Sequence, residues 1–219
     1  MSMDRDEQAR RIAGHLLRIG AVSLSPSDPF TWASGRLSPV YCDNRLTLGY
    51  PEFRSQIAAG FEAIIAAEHF PCDVVVGTAT AGIPHAAWLA ERMNLPMAYV
   101  RSAAKAHGRG NQIEGLAPSG AHSVVIEDLV STGMSSTAVL APLRDAGVQV
   151  EAVLAIFTYG LPGSQEAFDA AGVPLHTLSN FGVLIEVAEE TGLLPAEDIL
   201  SLQAWYRNPG RWSADRGGA

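Results

Sequence analysis

The feature that most constrains this chain is an apolar strand that stops at two adjacent acids. Residues 124–136 read VVIEDLVSTGMSS. Four features coincide there. The apolar run ends in Glu127 and Asp128. Ser131, Thr132 and Gly133 form a small turn rich in hydroxyls. Ser135 and Ser136 then open a helix. Free backbone N–H groups and the dipole of a helix start make such a turn an anion cradle. Gly133 permits close backbone approach, and Thr132 and Ser135 can add hydroxyl donors. The carboxylates suit polyol hydroxyls, or the water shell of a metal, beside a phosphate. The string is not a Walker loop, because GKS and GKT are missing and the acids precede the turn, and it is not GxGxxG. An STG turn alone is as readily an ordinary capped helix start; the whole string is not.

The rest of the chain alternates in the same way. Ala9, Ile12, Ala13, Leu16 and Leu17 fall on helical spacing, with Gly20 as a stop. Residues 21–49 are rich in Ser, Pro and Gly and read as loop with short extended pieces around 39–42. Pro51 starts a second helix, running to about Phe70. Strands are expected at 73–77, 97–101, 122–128 and 148–159, with a weaker one near 175–178. Helices are expected at 84–93, from the 131–136 turn to about 146, at 163–171, 180–190 and 196–206. Strands alternating with helices imply an α/β fold with a mostly parallel sheet covered on both faces. Ligands of such sheets sit beyond the carboxyl ends of the strands. Residues 102–120 show no periodicity and are long for a connection. The expected organisation is one domain over 1–207, followed by a fraying polar tail, 208–219.

Composition narrows the function classes. Fifteen Lys and Arg against 23 Asp and Glu give a net charge of −8. That argues against a general nucleic-acid binder, while leaving room for a local anion site. Apolar residues make up 47% of the chain, too many for a disordered one. No apolar run reaches membrane-spanning length. Cys42 and Cys72 lack metal-site spacing, and the charged first residues do not read as a secretory signal. A cytoplasmic protein is expected.

Two further segments carry candidate chemistry. GTATAGIP, residues 77–84, follows a strand, and its small residues Thr78, Ala79, Thr80, Ala81 and Gly82 let the backbone approach a diphosphate; a tight turn with close helix packing reads equally well. In residues 30–45, Tyr41 can stack on a flat ring, with Ser34, Gly35 and Arg36 as donors, although an aromatic beside proline is as readily core.

VVIEDLVSTGMSS resembles the phosphoribosyl-pyrophosphate (PRPP) motif of type I phosphoribosyltransferases. FTWASGRLSPVYCDNR (30–45), VVGTATAGIPHAAWLAERMNLPMAYVRSAAKAHGRGNQIEG (75–115) and that motif together look like orotate phosphoribosyltransferase, in that family's order and spacing, over about residues 8–206. The resemblance implies that family's fold, a mostly parallel sheet flanked by helices with a small hood to which the first helix and residues 21–49 contribute. It implies transfer of the phosphoribosyl group from PRPP to orotate, releasing pyrophosphate, with Mg²⁺ carried by PRPP rather than by direct protein ligands. It implies a homodimer whose active sites are shared across the interface.

By the same resemblance Glu127 and Asp128 face the ribose hydroxyls, and Leu129, Val130, Ser131, Thr132, Gly133, Met134 and Ser135 wrap the 5′-phosphate. Ser131 also contacts orotate, as Tyr41 does by its ring. Residues 78–82 form the pyrophosphate loop. Arg101, Lys105 and His107 close over pyrophosphate, with Lys105, His107 and Asp128 as the catalytic set. Cations there oppose the charge that builds on the leaving group. The motif of 124–136 taken alone also permits a purine-base enzyme, or a regulator of the same fold that senses PRPP without catalysis.

Overall fold

The computed structural model describes residues 5–32, 34–101 and 112–219. Along the chain the elements are α1 (Arg5–Arg18), β1 (Val22–Leu24), β2 (Phe30–Thr31), β3 (Leu37–Ser38), β4 (Val40–Cys42) and a 3₁₀ turn, Asn44–Gly49. There follow α2 (Pro51–Glu68), β5 (Val74–Thr78), α3 (Gly82–Met93), β6 (Met97–Val100), β7 (Ile113–Gly115), β8 (His122–Val130), α4 (Met134–Ala138) and α5 (Leu140–Asp145). The last elements are β9 (Gln149–Thr158), α6 (Ser164–Ala171), β10 (Leu175–Asn180), α7 (Phe181–Glu190), α8 (Ala196–Arg207) and α9 (Pro209–Ala214).

The chain divides into two compact units, one of residues 48–178 and one of residues 1–47 and 179–219. The first is built on a six-stranded sheet in the order β10-β9-β8-β5-β6-β7. β5 pairs parallel with β6 and β8, and β8 with β9. The fold is thus the expected α/β architecture. Its central strands are apolar at their centres: residues 74–76, 124–126 and 152–157 are all fully buried, as strands covered on both faces must be. After β5 the chain adds β6 on one side, whereas β8 joins on the other. The crevice beyond the ends of β5 and β8 is therefore a topological switch point, the place where open α/β sheets bind ligands.

Three local differences from the sequence-based expectation have physical causes. β7 is a short antiparallel strand beside β6, with Val100 opposite Ile113 and Ala98 opposite Gly115. Its three residues are too few to show a period. The helix after the 131–133 turn is broken into α4 and α5 around Val139. Pro142 lies in the first turn of α5, where its missing N–H is no loss; in one continuous helix it would remove the bond to Ala138 O. Lastly, residues 208–219, expected to fray, hold α9. Asn208 caps it by accepting from Arg211 N–H at 3.0 Å, and Pro209 starts it. Trp212 is 4% exposed, with the Arg216 guanidinium 3.9 Å from its ring. One buried tryptophan supplies the apolar contact that the segment's polar composition conceals.

The other unit packs α1 against α7, with Ile12, Ala13 and Leu16 buried. It contains two short antiparallel pairs, β1 with β4 and β2 with β3. Leu37 N–H donates to Ser213 Oγ at 2.9 Å, and Ala219 N–H to Gly35 O at 3.0 Å.

Candidate active site

At the switch point lies a cleft of about 560 Å³. Thr78, Ala79, Thr80 and Ala81 from the turn after β5 form one wall. The end of β8 and the following turn supply Glu127, Asp128, Leu129, Ser131, Thr132 and Ser135. Val100 and Arg101 enter from β6 and Gln112 from the approach to β7. Ala138 and Val139 complete the lining from the α4–α5 break.

Close packing holds these walls in place. A Cβ built on Gly82 would stand 2.3 Å from Ile126 O and 2.5 Å from Thr78 Oγ1. Only glycine fits there, and the turn after β5 can therefore press against the end of β8. Thr78 Oγ1 donates to Ile126 O at 3.1 Å and ties the same two strands. Gly133 has φ of +80°, the left-handed region that glycine adopts without strain, and its Cα faces Phe168 and Ala167 of α6.

The charged groups are distributed unevenly. Glu127 is 8% exposed. Burial, with Asp128 beside it, pushes its carboxyl up to about 7. Its Oε1 accepts from Asp128 N–H at 3.0 Å, and its Oε2 from the Ser136 hydroxyl at 3.1 Å. On the opposite side Arg101 lies 3.7 Å from Glu114. Arg101 N–H donates to Gln112 O at 2.9 Å, and Gln112 Nε2 donates back to Arg101 O at 3.3 Å. The polypeptide therefore both leaves and re-enters the sheet at the cleft, on either side of residues 102–111.

The structure thus brings together Thr78, Ala79, Thr80, Ala81, Arg101, Glu127, Asp128, Leu129, Ser131, Thr132 and Ser135. Gly82 supports the wall from behind. Val130 is fully buried in the core, and Met134 is 71% exposed. Tyr41 belongs to the other unit, exposed on β4 with its ring 5.6 Å from Phe30. Lys105 and His107 lie outside the described residues. Gln112 joins the site without a sequence signal, because no pattern in residues 102–120 singles it out. Ser136 reads in sequence only as part of a helix start, and nothing there tells a hydroxyl aimed at a carboxylate from one facing solvent.

The arrangement can hold a compound with two anionic ends and a polyol between them. The turn at 131–135 offers hydroxyls and N–H groups for one end, and the 78–82 turn and Arg101 serve the other. α4 has only five residues. A helix that short adds little macrodipole, so the donors on offer are those of the turn itself.

Known proteins resemble this chain over most of its length. The model of the phosphoribosyl transferase domain matches residues 54–170. An orotate phosphoribosyltransferase of Bacillus cytotoxicus is 55% identical over 201 residues, covering 91% of this chain and 95% of the relative. The crystal structure of orotate phosphoribosyltransferase from Aeropyrum pernix superposes with a TM-score of 0.72 at 32% identity, over 84% of this chain and 99% of that one. The Mycobacterium tuberculosis orotate phosphoribosyltransferase in complex with PRPP shares the fold, with a TM-score of 0.64 at 22% identity, over 81% of this chain and 98% of that one.

Proposed function

This chain belongs to the orotate phosphoribosyltransferase family, and on that premise we propose that its cleft transfers the 5-phosphoribosyl group of PRPP to orotate. The products are orotidine 5′-phosphate and pyrophosphate, a step of pyrimidine nucleotide synthesis. The observation that carries this is the cleft at the switch point, where two acids lie between a hydroxyl-bearing turn and a small-residue turn.

The 129–135 turn receives the 5′-phosphate on Ser131, Thr132 and Ser135. Glu127 and Asp128 face the ribose hydroxyls. Residues 78–81 approach the pyrophosphate with backbone, which the small side chains permit. Displacement at the anomeric carbon builds positive charge on the sugar and negative charge on the leaving group. Arg101 on the leaving side stabilises the second, together with Lys105 and His107. Orotate reacts as an already deprotonated ring nitrogen, so no protein base is required. Ser131 contacts the base, and Tyr41 is assigned to its ring. α1 and residues 21–49 are assigned to the hood of the family's fold.

Among the described residues no three His, Cys, Asp or Glu side chains gather into a metal cage. Paired carboxylates beside a diphosphate suit Mg²⁺, which keeps much of its water and binds chiefly through substrate phosphates. It would be held by PRPP, with Asp128 reaching its water shell, and it would neutralise charge on the leaving pyrophosphate. The working unit is proposed to be a cytoplasmic homodimer with shared sites.

The test is orotate-dependent consumption of PRPP in the presence of Mg²⁺, with orotate and hypoxanthine supplied together at equal concentration. A product with the mass of orotidine 5′-phosphate supports the assignment. Absence of turnover, or a purine nucleotide as the main product, overturns it.

A further inference from the structure

Of the two acids at the end of β8, Glu127 has a second task written in its hydrogen bonds. Both oxygens of Glu127 are engaged inside the chain, one by Asp128 N–H on its own strand and one by the Ser136 hydroxyl. Ser136 is 1% exposed, nine residues further on, in the first turn of α4. Glu127 therefore links the two ends of the 129–135 turn from its buried side. Thr78 secures the base of this link by bonding Ile126 O. Asp128 is half-buried and lines the same cleft.

On the strength of the function proposed above, we infer that Glu127 and Ser136 are a pair of positioning residues that set the span of the phosphate turn. A buried carboxyl that loses the Ser136 donor has weaker hydrogen bonding at that oxygen, and the cost is relieved by movement of the elements around it. The element free to move is the start of α4, which would carry Ser135 and the turn's N–H groups away from a bound phosphate. The base subsite shares only Ser131 with this turn.

The experiment titrates Mg²⁺–PRPP into the protein without base, and separately measures KM for each substrate. Ser136→Ala is expected to raise the dissociation constant and KM for PRPP by about tenfold. KM for orotate, which depends on the turn only through Ser131, should rise less than KM for PRPP, and thermal unfolding should remain cooperative. Glu127→Gln keeps an oxygen for Asp128 N–H and places an amide donor toward Ser136 Oγ. It should therefore weaken PRPP binding clearly less than Glu127→Ala does. If Ser136→Ala leaves PRPP binding unchanged, or Glu127→Gln is as damaging as Glu127→Ala, the positioning role is overturned. If the parent protein itself fails to bind PRPP, the function proposed above falls instead.

Discussion

Glu127 shows how one residue can link ionisation to stability. Its carboxyl titrates near 7 in the folded chain against an ordinary value of 4.5. Between those values the folded state holds a proton that the unfolded state has released, so stability falls as pH rises through that window and levels off above it. Desolvation is the main cause. The loss amounts to about 1.4 kcal/mol for each pH step of one across the window, on the order of 3 kcal/mol in all. Glu127→Gln cannot ionise. Urea denaturation of the unliganded protein at pH 5 and pH 8 should show a markedly smaller drop for the variant than for the parent. An equal drop in both would assign the dependence to another group. The acids themselves were legible as a pair from their position at the end of an apolar run. Their different surroundings were not, because burial and the Ser136 contact depend on where α4 folds back.

At the scale of elements, the β6–β7 pairing decides where the chain around residues 102–111 can act. An antiparallel neighbour returns the chain to the end of the sheet it left, so Arg101 and Gln112 meet across two hydrogen bonds at the cleft. Gly115, with φ of +95° and a virtual Cβ only 2.6 Å from Met97 O, makes this close return possible. The proposed leaving-group cation Lys105 belongs to the sequence between these two residues, outside the described residues. Lys105→Ala should lower kcat by roughly 10²-fold or more, read in steady-state kinetics. A change confined to KM would reassign the side chain to ground-state binding. Sequence made β5, β8 and β9 plain, since their unbroken apolar runs match strands covered on both faces. It hid β7, whose Ile-Glu-Gly has no period, and α9, whose stability rests on one tryptophan in a polar stretch.

For the whole molecule, assembly decides how many chains complete a site. If sites are shared across a homodimer, an inactive Lys105→Ala chain and an inactive Asp128→Asn chain should regain activity when mixed, because a mixed dimer contains one intact site. No recovery in verified mixed dimers would argue for sites complete within one subunit. The sheet order has a further consequence. β8 stands third of six strands, bonded on one side to β5 and on the other to β9, with its centre sealed from solvent. Amide protons in such a strand exchange with deuterium only when the whole domain opens. The acids therefore hang from the part of the molecule that breathes least. In deuterium-exchange mass spectrometry, peptides covering 123–127 should label last, at a rate that tracks global unfolding in mild denaturant, with or without substrate present.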